Sequence, residues 1–189
     1  PTLSVLPALV EQLDFAGPEH SVSWHPSWTA LEDSGVFDAE SEMVHSWPGI
    51  NANMVRSHFL RGTPGKWWKR LVERGISHDA SLGWSDDMGF RNGISQPFQA
   101  YDLTRDECMS LVIEPMAVMD EAMRGSLGWT PQRACVELMR SMNAVGVVGG
   151  QWMSCWHNTS VSEDGEWEGW RATYVHMLSH AQNLGGTTL

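Results

Sequence analysis

Three histidines, an arginine and an aspartate stand where hydrolytic chemistry would need them. His25 in Trp24-His25-Pro26-Ser27, His58 in Arg56-Ser57-His58-Phe59 and His157 in Cys155-Trp156-His157-Asn158 each sit at or near the end of a short apolar run. An imidazole in that place can offer a bare nitrogen to a metal, or trade a proton near neutral pH. Arg56 and His58 are two residues apart, so a strand over 54–59 would put them on one face. A guanidinium there can hold a carboxylate or stabilise an oxyanion. Asp79 follows another apolar run and can orient a catalytic group or a substrate hydroxyl. Taken singly, each of these residues fits an ordinary turn or strand end at least as well. Their recurrence at successive strand ends carries more information than any one of them.

Other candidates carry less. Asp86-Asp87 and Glu163-Asp164 read as solvated acids. His176 and His180 are four apart on a predicted helix, but the HExxH pattern is absent.

The elements that must position these groups alternate. The apolar spacing predicts a helix over 2–15, a strand over 21–24, a loop over 26–37 and a short helix over 38–46 capped by Asp38. A strand over 54–59 follows. Thr63 and Pro64 then open a helix to Arg74, and 76–79 is a third strand. Residues 80–97, rich in Gly, Ser, Asp and Asn, read as a long loop. Strands are expected over 98–103 and 109–113, and a short helix or turn over 116–124. Thr130-Pro131 opens a helix to about 144, 151–156 is a strand, and 166–183 is a final amphipathic helix. Alternation of this kind predicts an α/β fold with a parallel sheet or barrel, whose active site gathers at the C-terminal ends of the strands.

Composition narrows the function classes. The chain has 189 residues, 42% of them hydrophobic, enough for a single packed domain over 1–189. Its net charge of −11 argues against nucleic acid and against anionic lipid. The densest basic stretch is Arg56, Arg61, Lys66, Lys69, Arg70 and Arg74. No apolar run is long enough for a membrane span, and no leader peptide is read. The three cysteines, with no CxxC pair, predict neither a disulfide framework nor a cysteine zinc site, and lean towards a cytoplasmic setting.

In sequence order the quoted pieces resemble a bacterial branch of the polysaccharide deacetylase superfamily, carbohydrate esterase family four. The resemblance rests on His25-Pro26-Ser27, on Arg56-Ser57-His58-Phe59-Leu60-Arg61, and on Gly75-Ile76 with Asp79-Ala80-Ser81-Leu82-Gly83. It continues through Gly89-Phe90-Arg91-Asn92-Gly93, Pro97-Phe98 with Tyr101-Asp102-Leu103, Pro115 with Met119-Asp120, and Trp156-His157-Asn158. It implies a distorted (β/α)7 barrel that removes N- or O-acetyl groups from a carbohydrate with a divalent metal, usually zinc. By position it makes His25 a metal ligand, Arg56 the orienting arginine, His157 the acid and, more loosely, Asp79 a catalytic carboxylate. Thr29 stands where the family has its second metal histidine, and His58 is the residue that could replace it. Trp24, Arg91 and Trp156 fall on the substrate side. The family's paired aspartates would precede residue 1, so the chain reads as a barrel truncated at its N-terminus. The alternative is a non-catalytic carbohydrate-binding relative, or an inactive fragment of the same barrel.

Overall fold

A computed structural model describes residues 23–47, 52–62 and 64–185. The helix expected over 2–15 lies outside them. Helix α1 (Trp28–Glu32) and helix α2 (Ser34–His45) come first. Both begin on side-chain caps. Ser27 accepts the Ala30 N–H at 3.2 Å, and Asp33 accepts those of Gly35 and Val36 at 2.7 and 3.2 Å. The loop expected over 26–37 is therefore helical, and α2 starts at the Asp33 cap, not at Asp38.

Strand β1 (Met54–Val55) is short. A 3-10 turn over His58–Leu60 replaces the rest of the strand expected to residue 59, because Phe59 and Leu60 both take positive φ, 54° and 53°. Arg56 and His58 thus do not share a strand face. Helix α3 (Lys66–Glu73) starts on Gly65, and Thr63, the expected cap, lies outside the described residues. Strand β2 (His78–Asp79) follows, and residues 80–97 form the long loop that their composition predicts.

Strands β3 (Phe98–Asp102) and β4 (Glu107–Ile113) pair antiparallel, with a register shift between Gln99 and Tyr101. Strand β5 (Val118–Met119) occupies part of the segment expected as a helix or turn, and a π-helical turn, Ala122–Ser126, follows it. Helix α4 (Pro131–Val147) opens as expected, with the Thr130 hydroxyl accepting the Arg133 N–H at 3.3 Å. Strand β6 (Ser154–Cys155) and helix α5 (Trp170–Asn183) complete the chain.

The order in the larger sheet is β1-β2-β4-β3, with β1, β2 and β4 mutually parallel. Trp24 adds a parallel bridge to Val55 on the outer side of β1. A second sheet pairs β5 and β6 in parallel. The fold is thus α/β with a mostly parallel sheet, as the alternation predicts. Among the described residues the strands do not close into a barrel.

Apolar packing explains this arrangement. One cluster joins Trp24, Phe37, Val55, Leu71, Ile76, Leu111 and Ile113 under the larger sheet. Another joins Val118, Met123, Leu138, Trp167, Trp170 and Met177 between β5, α4 and α5. Buried Ala134, Leu138, Met142 and Val145 recur at helical spacing along α4, and truncating a residue such as Leu138 to alanine would cost about 2–5 kcal/mol. A third cluster of Leu60, Met116, Met119 and Ala122 sits between the other two. There the Met116 N–H reaches Leu82 O at 2.9 Å and the Ala117 N–H reaches Met153 O at 2.8 Å. No helix among the described residues is long and apolar enough to cross a membrane.

Candidate functional site

The polar groups collect where β1, β2, β5 and β6 end. Trp24 pairs alongside β1 through Trp24 N–H to Met54 O at 2.9 Å and Arg56 N–H to Trp24 O at 3.0 Å. That pairing sets His25 beside Arg56. The His25 Nδ1–H donates to Arg56 O at 2.7 Å. A carbonyl can only accept, so Nδ1 carries the proton and Nε2 is left bare in the neutral ring. Burial lowers the His25 pKa, and the charges of His58, Arg56 and His157 push the same way against the hydrogen bond to Arg56.

His58 lies across from His25, with ring centroids 4.8 Å apart and planes inclined by 33°. Its Nδ1 is buried and has no hydrogen-bond partner among the described residues. Arg56 donates from Nε to Ala80 O at 3.1 Å and from Nη2 to the Met153 sulfur at 2.9 Å. It makes no ion pair with a carboxylate among the described residues, so the arginine–aspartate pairing implied by the resemblance is not present between Arg56 and Asp79. The guanidinium also faces Cys155, whose thiol pKa burial raises and Arg56 partly draws back down.

Asp79 closes β2 with its side chain inward and 1% exposed. It accepts Trp68 Nε1–H at 3.2 Å, Ser81 N–H at 3.0 Å and the Ser81 hydroxyl. Burial nevertheless raises its pKa above the usual carboxylate range. The Ser81 oxygen also accepts the Ser57 N–H at 2.8 Å, which ties the end of β2 to the end of β1.

His157 follows β6, and a residue not assigned a role from sequence holds it. Asp120, fully buried at the end of β5, accepts four hydrogen bonds. Its Oδ1 takes His157 Nδ1–H at 2.8 Å and Glu121 N–H at 2.7 Å. Its Oδ2 takes His157 N–H at 2.6 Å and the Ser160 hydroxyl. The imidazole itself is half exposed, and Nε2 is the ring nitrogen that Asp120 does not hold. Glu114, at the end of β4, is a second buried carboxylate, accepting Gln151 Nε2–H at 2.7 Å. Asp120 had a sequence signal: an acid directly after an apolar pair at a strand end. Its distance of 37 residues from His157 hid the pairing.

No family model, curated protein or solved structure matches the chain.

His25 and His58 therefore stand together beside Arg56, Asp120 holds His157 just past the end of β6, and Asp79 lies one residue before the carbonyl that Arg56 holds. The three residues expected on the substrate side lie differently. Trp24 is buried on Phe37, with centroids 4.8 Å apart. Trp156 is half-buried and packs on Trp170 and Tyr174 at 6.4 and 5.2 Å. Arg91 lies in the long loop, 5.3 Å over the Trp84 ring.

For a divalent metal, the His25 geometry fits: a ligating histidine usually donates its other ring N–H to a carbonyl or carboxylate. The orphaned Nδ1 of His58 is a second available donor atom. Among the described residues, no group of three or more His, Cys, Asp or Glu side chains is arranged to hold a metal ion. Two imidazoles are thus the donor set in view.

Proposed function

We propose that the chain is a metal-dependent hydrolase of the polysaccharide deacetylase type, acting on an N- or O-acetylated carbohydrate. The observation that carries this reading is the Asp120–His157 pair at the ends of β5 and β6, and the His25–His58 pair beside Arg56 at the end of β1 supports it. On this reading the two sheets are arcs of a distorted (β/α)7 barrel.

His157 is the proton carrier. Asp120 fixes its Nδ1–H, so any proton it gives or takes passes through Nε2. There it takes a proton from the attacking water as the water oxygen bonds the acyl carbon, and returns it to the departing sugar oxygen or nitrogen as the acetyl C–O or C–N bond breaks and acetate leaves. His25, neutral and with Nε2 bare, and His58 would hold a divalent metal, most suitably zinc. Bound there, the metal would polarise the acyl carbonyl and acidify a water. Arg56 brings a positive charge with no carboxylate partner among the described residues, which suits an oxygen that gains negative charge. Asp79, buried and hydrogen-bonded to Ser81, braces the ends of β1 and β2 behind this cluster.

A second reading, glycan binding without turnover, draws on one observation: only two metal-donor imidazoles stand together among the described residues. Acetate release separates the two. The chain supplied with zinc is incubated with an N-acetylglucosamine tetramer and with an O-acetylated xylose tetramer. Release that disappears in His157→Ala supports the hydrolase. Binding of a tetramer without release supports the second reading.

A further inference from the structure

The turn after β1 holds an aromatic side chain in water at a conformational cost. Phe59 and Leu60 are consecutive residues in the left-handed region, at φ 54° and 53°. For residues with a Cβ this conformation is unfavourable, and it persists where the surrounding structure imposes it. Leu60 has a packing reason, since its side chain is 7% exposed in the cluster with Met116 and Met119. Phe59 is 64% exposed, and its ring contacts are with His58 and Trp28 rather than with the core. Glycine or asparagine at position 59 would make the same turn with less strain.

What the strain achieves is placement. The Phe59 ring lies 4.8 Å from His58. Trp28, itself 45% exposed, stands at 86° to Phe59 with centroids 5.3 Å apart, and at 85° to His58 at 6.4 Å. The two exposed rings form a right-angled corner whose inner end is the His25–His58 pair. Arg61 fixes the outer wall. Its guanidinium lies 4.1 Å over the Trp28 ring and pairs with Glu32 at 3.2 Å.

We infer that this corner is a sugar-binding subsite: one pyranose ring lies on Phe59, against Trp28, with its neighbour's acetyl group reaching the histidines. An aromatic face carries partial negative charge, and the C–H bonds on the apolar face of a pyranose point partial positive charge at it. Arg61 supplies donors to hydroxyls at the rim. The corner is open and amphipathic, which suits a flat, hydroxylated ligand better than a purely apolar one. The inference rests on the hydrolase reading above and extends it with the residues that select a carbohydrate.

The test measures binding and turnover in parallel on the full chain. Calorimetric titration with the N-acetylglucosamine tetramer and the O-acetylated xylose tetramer is run on the parent, Phe59→Gly, Trp28→Ala and His157→Ala. Phe59→Gly is expected to bind the preferred tetramer at least tenfold more weakly and to melt no lower than the parent, so weak binding cannot be ascribed to misfolding. Trp28→Ala is expected to bind more weakly as well, while His157→Ala binds like the parent and releases no acetate. If the parent binds and releases acetate, and Phe59→Gly matches it in affinity and KM, the subsite is wrong and the hydrolase stands. If the parent neither binds nor hydrolyses either tetramer, the hydrolase reading fails and the subsite with it. If Phe59→Gly changes only the sedimentation of the chain, the corner is a contact for a second copy and the inference is overturned.

Discussion

Asp120 holds His157 twice: its carboxylate takes the ring Nδ1–H at 2.8 Å and the backbone N–H of the same residue at 2.6 Å. The ring can therefore neither swing away nor change tautomer without breaking a buried hydrogen bond. Strands β5 and β6 lie side by side in parallel, so the residues just past their ends meet. Glu121 and Ser160 fill the rest of the carboxylate. This is how two short strands orient a half-exposed histidine.

Asp120→Asn tests that relationship. The amide keeps the shape but can no longer accept on both atoms, so the His157 tautomer is released. Acetate release should fall by roughly 10²–10⁴-fold with KM little changed. Asp120→Ala should also lose about 2–4 kcal/mol in urea unfolding, because buried donors are left without an acceptor. An Asp120→Asn protein with parental kcat would mean that His157 works without its partner, or not at all.

How much of this was legible in the sequence varies with the range of the forces involved. Thr130-Pro131 announced α4 because a cap and a first-turn proline act within four residues. Ser27 and Asp33 carry the same kind of signal, yet α1 and the first turn of α2 read as loop, with the helix expected only from Asp38: Pro26, Gly35 and the short run between them look like turn composition. Past Val55, the apolar pattern through Phe59 and Leu60 reads as strand, and nothing local reveals that both residues turn left-handed. Tertiary contacts decide that, with Leu60 drawn into the cluster of Met116 and Met119. His25, Arg56, His58 and His157 are legible as strand-end groups, and His25, His58 and Arg56 are neighbours in the fold. Asp120 was visible but unassigned, because its partner lies far along the chain.

Phe59→Gly should unfold at a higher urea concentration than the parent. Removing a Cβ from a left-handed position relieves about 1–2 kcal/mol, partly offset by about 0.5–1 kcal/mol of extra freedom in the unfolded chain. The net gain is about 0.5–1 kcal/mol, since the exposed ring gives up little packing. A clear loss of stability would show that Phe59 packs more than its exposure indicates.

Asp79 gives a pH dependence with a definite sign. Burial raises its pKa, so the native state holds the proton more tightly than the unfolded chain does. Its contribution to stability therefore falls as pH climbs from the ordinary aspartate value of about 3.9. His25 acts in the opposite sense: its lowered pKa weakens the native state as pH drops below about 6.5. The readout is thus the difference between Asp79→Asn and parent, which keeps His25 common to both. Across urea titrations from about pH 4 to about pH 8, that difference should move in favour of the variant as pH rises. A difference that is flat, or moves the other way, would mean that the Ser81 and Trp68 hydrogen bonds outweigh burial.

Zinc binding should depend on both imidazoles. His25→Ala and His58→Ala should each weaken zinc at least about tenfold in equilibrium dialysis. Burial lowers the His25 pKa, so proton competition at this ligand should set in at a lower pH than at an ordinary histidine. Variants that bind zinc as well as the parent would remove these two residues from the metal site.

The most direct measurement is the initial rate of acetate release from the two acetylated tetramers by the parent chain, stripped with a chelator and then titrated with zinc. Release that is absent in the stripped protein, returns with about one equivalent of zinc and is lost again in His157→Ala is the predicted result. Release that is indifferent to both zinc and His157, or no release from either tetramer at any zinc concentration, would contradict a metal-dependent deacetylase.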